Sequence, residues 1–280
     1  MSKRTRHDGG PRDASPVPPP EPLSVPVVDA HCHLDLMDGD VDANVALARS
    51  VGVSTVLTIG VDVPTSRWQA QVAAEHLYVW AAVGLHPNEA AQGAATDEAL
   101  REIARLAALP QVRAVGETGL DYFRTEGAEG HARQESSFRA HIQIAKDCGK
   151  ALVIHDRDAH EQVLRVLAEE GAPAVTVFHA FSGDAEFARR CADAGYLMSF
   201  AGNVSFANAP TLREAAAVVP AQLLLVETDA PFLTPVPYRG RPNGPHLIPL
   251  TMRALAQARG EQVDLTCAAV AANAARAFAW

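Results

Sequence analysis

The chain has 280 residues, of which 48% are hydrophobic and 20% are charged, and its formal net charge at pH 7 is −9. No apolar run approaches the roughly 18 residues that a membrane-spanning helix needs, so no membrane association is expected. An acidic chain also lacks the broad basic surface that holds nucleic acid through many phosphate contacts. The acidic net charge does not exclude an enzyme that holds the end of a nucleic-acid strand through a metal ion and a few arginines.

Four scattered cysteines, Cys32, Cys148, Cys191 and Cys267, show none of the paired spacing that marks zinc ribbons or small disulfide scaffolds. A reducing compartment is therefore the default expectation. The N-terminal residues lack the apolar core of a secretory signal. We expect a cytoplasmic protein without an obligate protein partner.

Residues 1–26 contain seven of the 19 prolines, charges of both signs and no apolar periodicity. A segment of this composition cannot bury enough apolar surface to offset the entropy lost on ordering. We therefore predict a disordered tail over residues 1–26 and one catalytic domain over residues 27–280.

From residue 27 onward, eight short apolar or β-branched runs alternate with longer segments of helical period. Eight strand-then-helix units predict a (β/α)8 TIM barrel. A doubly wound open sheet is the alternative, but no glycine-rich phosphate-binding motif follows the first strand. The predicted strands are Val27–His33, Ser54–Gly60, Tyr78–His86, Val112–Leu120, Ala151–Arg157, Ala174–Phe181, Tyr196–Gly202 and Leu223–Pro231. The predicted helices are Val41–Ser50, Pro64–Glu75, Thr96–Leu109, His131–Cys148, Ala159–Glu170, Asp184–Ala194, Ala209–Val219, Pro249–Arg259 and Leu265–Ala277.

Reactive side chains fall where the predicted strands end. His31 and His33 lie two positions apart, so both imidazoles should project from one face of the first strand. Since the chemistry of a barrel takes place at the carboxyl ends of its strands, the other strand-end residues should converge on the same rim. The full set is His31, His33, His86, Glu117, His155, His179 and Asp229.

This mixture of imidazoles and carboxylates suits divalent metal ions. Our hypothesis gives one ion to His31, His33 and Asp229 and a second ion to His155 and His179, with Glu117 shared by both. A bridging carboxylate can hold two ions about 4 Å apart, and a water between them would become the nucleophile. Asp229 could also order or deprotonate that water, so Glu117 and Asp229 are the predicted catalytic residues.

The remaining histidines of the predicted barrel have no comparable claim to a site. They lie in predicted helices or loops and are expected at the surface, with His160 nearest to the rim; the set is His76, His131, His141, His160 and His246. Cys32 alternates away from the neighbouring histidines. We therefore interpret Cys32 as a small buried apolar residue and not as a metal ligand.

The chain resembles TatD-type deoxyribonucleases, a branch of the amidohydrolase-like barrels. Seven motifs carry the resemblance, and they occur in the family's order from residue 27 to about residue 275. They are Asp-Ala-His-Cys-His-Leu-Asp (29–35), Gly-Leu-His-Pro (84–87), Gly-Glu-Thr-Gly-Leu-Asp-Tyr (116–122), Val-Ile-His-Asp-Arg-Asp-Ala (153–159), Phe-His-Ala-Phe-Ser-Gly (178–183), Glu-Thr-Asp-Ala-Pro-Phe-Leu (227–233) and Arg-Gly-Arg-Pro-Asn (239–243).

The resemblance implies metal ligation by the same six residues already reached from the strand ends. It also implies divalent ions, most often Mg²⁺ with Mn²⁺ or Zn²⁺ as alternatives, and removal of nucleotides from the 3' ends of single-stranded or damaged DNA. His86, Arg239 and Arg241 would then bind substrate, because forked guanidinium groups suit phosphate oxygens. Ordinary exposed loop charge is the alternative explanation for the two arginines.

The chain departs from the family pattern at three positions. Gly244 replaces the glutamate of the usual Asn-Glu-Pro, Ala180 replaces a common cysteine, and Asp156 stands where a small polar residue is frequent. The first change places the substrate in question, because the rim also resembles sites that hydrolyse esters and amides, including a D-aminoacyl-tRNA deacylase. A metal-binding protein without catalysis is less well supported, because all six predicted ligands are present.

Overall fold

The computed structural model describes residues 13–279, in which eight strands alternate with helices. Each strand pairs in parallel with the next strand of the chain, so the order in the sheet is the order in the sequence. This topology confirms the predicted (β/α)8 barrel. The strands are β1 (Val27–Cys32), β2 (Val53–Ile59), β3 (Val79–Val83), β4 (Val112–Asp121), β5 (Ala151–Arg157), β6 (Thr176–Phe178), β7 (Leu197–Phe200) and β8 (Leu224–Val226).

The helices have sequence-encoded ends. Asp40, Thr96 and Asp184 each accept a hydrogen bond from a main-chain N–H of the helix that follows, while Gly149 and Gly260 end helices in the left-handed conformation. Among residues 13–279, no helix has the combined length and apolar character required to cross a bilayer. The helices are α1 (Val41–Ser50), α2 (Val63–Glu75), α3 (Pro87–Ala91), α4 (Asp97–Ala107), α5 (Ala128–Cys148), α6 (His160–Glu170), α7 (Ala185–Asp193), α8 (Pro210–Val218), α9 (Ile248–Arg259) and α10 (Val263–Phe278).

Two hydrophobic clusters fill the barrel and its surroundings. The larger cluster combines strand side chains with helix side chains such as Phe138 of α5 and Val163 of α6, so it lies between the sheet and the helices. The smaller cluster consists of strand residues, including Leu57 and Val153, together with the C-terminal end of α10. Because neighbouring strand side chains point to opposite faces, these residues line the inside of the barrel.

Contacts between β1 and the segment after β8 join the first and last strands of the barrel. The main-chain N–H of Asp229 donates to the carbonyl of His31 at 2.9 Å. The buried carboxylate of Asp29 accepts hydrogen bonds from the N–H of Thr228 at 2.9 Å and from its hydroxyl at 2.5 Å. The histidines at the end of β1 are thereby fixed beside the segment that carries Asp229.

Five of the predicted strands, namely the first, third, sixth, seventh and eighth, are longer than the strands that form. β3 ends three residues before His86, β6 ends one residue before His179, and β8 ends three residues before Asp229. Asp229 has a φ of 52°, a left-handed conformation that a strand cannot contain. His86 caps the short helix α3, which was not predicted, by accepting a hydrogen bond from the N–H of Asn88 at 3.1 Å.

The N-terminal segment differs from the expected disordered tail wherever it is described. Residues 1–12 lie outside the described residues, but residues 13–26 follow an irregular path against the barrel. Val17 and Leu23 are buried, and the N–H of Leu23 donates to the carbonyl of Val51 at 3.0 Å. Two buried apolar side chains and paired main-chain groups order this part of the segment despite its prolines.

One histidine prediction is wrong. His141 of α5 is fully buried, with its Nε2 accepting the N–H of Leu85 at 3.0 Å and its Nδ1 lying 2.7 Å from the carbonyl of Ser137. Burial lowers the pKa of His141 to about 4, and the hydrogen bond to Ser137 only partly opposes this shift. The other four histidines expected at the surface are half-buried, whereas Cys32 is buried as predicted.

Candidate active site

Glu117, in the second half of β4, lies at the centre of the predicted ligands. Its side chain is only 5% exposed. Each of its two carboxylate oxygens faces a different set of imidazoles. The structure thus brings together all six residues for which metal ligation was predicted.

The first set lies next to Glu117 Oε2, and its residues come from β1 and from the segments that follow β1 and β8. Glu117 Oε2 is 3.5 Å from His31 Nε2 and 4.0 Å from His33 Nε2. Asp229 Oδ1 is 3.8 Å from His31 Nε2 and 3.6 Å from His33 Nε2, and the two imidazole nitrogens are 3.3 Å apart. Ligand atoms that share one divalent ion at about 2.1 Å are themselves separated by roughly 3 Å or slightly more, so this spacing fits a metal site.

The second set lies next to Glu117 Oε1. His155 Nδ1 is 2.7 Å from this oxygen, His179 Nε2 is 3.0 Å away, and His86 Nε2 is 3.4 Å away. His86, which was predicted to bind substrate, therefore lies within the same group of donors as His155. The His86 and His155 rings meet edge to face, with their centroids 4.5 Å apart.

The described residues contain three groups of donor atoms that could hold a metal ion, and each group has its atoms within 4.8 Å of one another. Glu117 belongs to two groups and His31 to two, so the groups are connected. Neutral imidazole nitrogen and carboxylate oxygen are both ordinary ligands of divalent ions, and the residues present fit metal binding. The groups are His31, Glu117 and His179; His31, His33 and Asp229; and His86, Glu117 and His155.

Two further carboxylates orient the second set of imidazoles. His179 Nδ1 lies 3.0 Å from Glu227 Oε1, which also accepts the N–H of Ala180 at 2.9 Å. His155 Nε2 lies 3.1 Å from Asp121 Oδ2. Such partners fix the ring orientation of metal-binding histidines. Sequence reasoning assigned no role to Glu227 or Asp121, although each belongs to a quoted motif and Glu227 precedes Asp229 by two residues.

Burial and mutual charge shift the pKa values within this cluster. Burial would raise the pKa of Glu117, but the nearby His179 and His86 lower it well below its usual range. Burial would lower the pKa of His179, but Glu117 and Glu227 raise it well above its usual value. Burial lowers the pKa of His31, with a further contribution from His179. His31 therefore favours the neutral form that binds metal ions.

The two arginines predicted to bind phosphate have different surroundings. The Arg239 guanidinium is exposed and lies over the Phe206 ring, 4.2 Å from its centroid. Arg241 donates to the main-chain carbonyls of Ser15 at 3.1 Å and Pro16 at 2.8 Å. Arg241 is therefore held by the N-terminal segment, whereas Arg239 presents its charge to solvent.

Gly244 fits its surroundings better than the family's glutamate would. A Cβ atom at Gly244 would lie 2.8 Å from His246 Nδ1 and 3.3 Å from Met37 Cε. His246 Nε2 in turn lies 3.2 Å from the carbonyl of Val17. A side chain at position 244 would therefore require His246 to move away from the N-terminal segment.

Comparison with known proteins agrees with this geometry. The sequence pattern of the family described as TatD related DNase matches residues 28–279. A Mycobacterium tuberculosis protein named uncharacterized metal-dependent hydrolase TatD is 46% identical over 260 residues, which are 90% of this chain and 97% of that protein. A Pantoea ananatis protein named 3'-5' ssDNA/RNA exonuclease TatD is 34% identical over 242 residues, 84% of this chain and 91% of that protein.

A solved structure supports the same assignment. The crystal structure of YJJV, a TatD homolog from Escherichia coli K12, matches with a TM-score of 0.84 and 27% sequence identity. The match covers 91% of this chain and 98% of that one. From its family pattern, its relatives and its fold, the chain belongs to the TatD family of metal-dependent hydrolases.

Proposed function

We propose that this chain is a 3'-5' exodeoxyribonuclease that hydrolyses phosphodiester bonds at the ends of single-stranded or damaged DNA. The observation that carries the proposal is the position of Glu117, whose two oxygens face two different sets of predicted metal ligands. A shared carboxylate of this kind is the central element of two-metal hydrolysis. The name of the Pantoea ananatis relative supports the choice of nucleic acid as substrate.

In this proposal, two divalent ions bind to the six predicted ligands. His31, His33 and Asp229 would hold one ion, and His155 and His179 would hold the other, with Glu117 shared. We expect Mg²⁺ first, with Mn²⁺ or Zn²⁺ as alternatives. When bound, such ions lower the pKa of a coordinated water and neutralise the charge that develops on the phosphate.

Asp229 is the carboxylate that we assign to accept the proton of the attacking water. Its side chain is 13% exposed, against 5% for Glu117, so it has the greater access to solvent. Burial would raise the pKa of Asp229, but its hydrogen bond with His33 and the charge of His179 lower it. A carboxylate that is ionised at neutral pH can act as a general base.

We assign His86 and Arg239 to the substrate phosphates, His86 from beside the second set of donors and Arg239 from the loop after β8. Arg241 would contribute only if it left the carbonyls of Ser15 and Pro16. An enzyme with a net charge of −9 and few rim arginines is suited to hold a strand end and not a long duplex surface.

The test is incubation of the purified, metal-loaded protein with end-labelled single-stranded DNA in Mg²⁺, Mn²⁺ or Zn²⁺. We expect stepwise release of mononucleotides from the 3' end. A D-aminoacyl-tRNA substrate is assayed in parallel with the same preparation. Absence of nucleotide release with every metal, from folded and metal-loaded protein, would contradict the proposal, and release of the D-amino acid alone would identify the deacylase instead.

A further inference from the structure

Phe123 is a large aromatic residue on the loop that follows β4, and it is 59% exposed. It lies two residues after Asp121, the carboxylate that contacts His155. A single exposed apolar residue needs no explanation by itself. What distinguishes Phe123 is its place on the rim that carries the proposed active site, where an aromatic face can contact a base of the substrate.

The main chain around Phe123 is fixed by three interactions. The N–H of Tyr122 donates to the carbonyl of Arg157 at 2.9 Å, and the N–H of Arg124 donates to Asp121 Oδ1 at 2.8 Å. The Tyr122 ring stacks on His131, with the centroids 3.7 Å apart. Phe123 is therefore held at a defined position on the rim, and does not belong to a freely moving loop.

The ring of Phe123 has a cationic partner. The Arg157 guanidinium carbon lies 3.9 Å from its centroid, and Arg157 follows His155 by two residues at the end of β5. The next residue along the chain, Arg124, is exposed and adds a second positive charge to this loop.

We propose that Phe123 is a stacking platform for an unpaired base of the substrate strand, with Arg157 supporting the ring from one side. The inference rests on the proposed nuclease function and extends it to the way in which the strand is held. An aromatic face accepts any base, and the adjacent guanidinium groups of Arg157 and Arg124 suit the phosphates of the same strand. Phe123 would therefore favour single-stranded over double-stranded DNA, because bases in a duplex are already stacked.

The test measures binding of metal-loaded protein to a short fluorescein-labelled single-stranded DNA whose phosphorothioate linkages resist hydrolysis. We expect Phe123→Ala to raise Kd by about 5- to 150-fold, the range that corresponds to loss of one base–aromatic stack. Phe123→Tyr and Phe123→Trp should restore binding, because they keep an aromatic face. Leu77→Ala is the matched control, because Leu77 is 80% exposed but precedes β3 at the opposite end of the barrel, and its Kd should be unchanged.

Single abasic substitutions along the oligonucleotide identify the stacked base. One position should raise the Kd of the wild-type protein by a similar factor, and the same position should have no further effect on Phe123→Ala. If wild type degrades DNA and a folded Phe123→Ala protein binds DNA with a Kd within about 2-fold of wild type, the stacking platform is contradicted and the nuclease proposal is not. Phe123-dependent binding without nucleotide release would contradict the nuclease proposal and support the platform, whereas no binding by wild type would overturn both.

Discussion

The donors that face the two carboxylate oxygens of Glu117 are held in position in different ways. On the Oε2 side, His31 and His33 are positioned by β1 and its contacts with the segment after β8, and donor distances are 3.3–4.0 Å. On the Oε1 side, His155 and His179 approach to 2.7 and 3.0 Å, and each ring has a second carboxylate behind it. One set therefore depends on the closure of the barrel, and the other depends on a chain of hydrogen-bonded side chains.

This difference predicts which substitutions affect one set and which affect both. Among residues 13–279, Glu117 is the carboxylate that faces both sets, so Glu117→Ala should weaken or abolish binding of both proposed ions. We expect kcat/KM to fall by about 10³-fold or more, corresponding to several kcal/mol of transition-state stabilisation. Metal content per chain, measured by elemental analysis together with kcat/KM, checks the prediction. A variant that retains most of its rate and both metals would show that Glu117 is not shared.

Glu227→Gln should affect the second set alone. It weakens the hydrogen bond that orients His179, and His179 belongs to the second set. Loss of such a partner typically lowers metal affinity by about 10- to 100-fold. Metal titration followed by calorimetry should show one weakened site and one unchanged site. Equal weakening of both sites would mean that the two sets are not separable.

His141 accepts a hydrogen bond from the N–H of Leu85, the residue before His86. Its buried, neutral state can be tested through the pH dependence of the free energy of unfolding. The folded pKa of His141 is about 4, below its ordinary value of 6.5, so the unfolded chain binds a proton between these values that the folded chain does not. Its contribution therefore lowers stability as pH falls from 6.5 towards 4 and is negligible above about pH 7.5. Between pH 7.5 and pH 5 this loss is about 2 kcal/mol.

Denaturant unfolding of wild type and His141→Gln at both pH values isolates this contribution, because the other titrating groups are common to both proteins. The variant is expected to be less stable at pH 7.5 and to lose about 2 kcal/mol less than wild type on going to pH 5. An identical pH dependence in the two proteins would contradict a neutral buried His141.

The convergence of the proposed ligands could be predicted from the sequence because strand position determines where a side chain points. The two-residue spacing of His31 and His33 was sufficient to place them together, and the rule that barrel sites lie at strand ends supplied Glu117 and His155. His179 and Asp229 were predicted to lie in strands, but they lie in the loops that follow β6 and β8. Their place at the rim was nevertheless predicted correctly, because they follow those strands by only one and three residues.

Other contacts could not be predicted because they join distant segments through side-chain packing. Arg241 binds the carbonyls of Ser15 and Pro16, which lie 226 and 225 residues away in the chain, and nothing in either segment indicates the other. His141 occurs in a helix whose buried face was not distinguished from its exposed face. Glu227 was visible as a residue of a motif, but its partner His179 became known only from the fold.

The contact between Asp29 and Thr228 spans 199 residues, and it joins the strand that provides His31 to the segment that provides Asp229. A metal ion bound by both His31 and Asp229 would link the first strand to the segment after the last strand. Ion binding and closure of the strand barrel would then be coupled equilibria. An ion at 100 times its dissociation constant would add about 2.7 kcal/mol to the stability of the closed barrel. A chain that has not yet acquired β8 lacks a complete first set, so a competent site exists only when the whole ring has assembled.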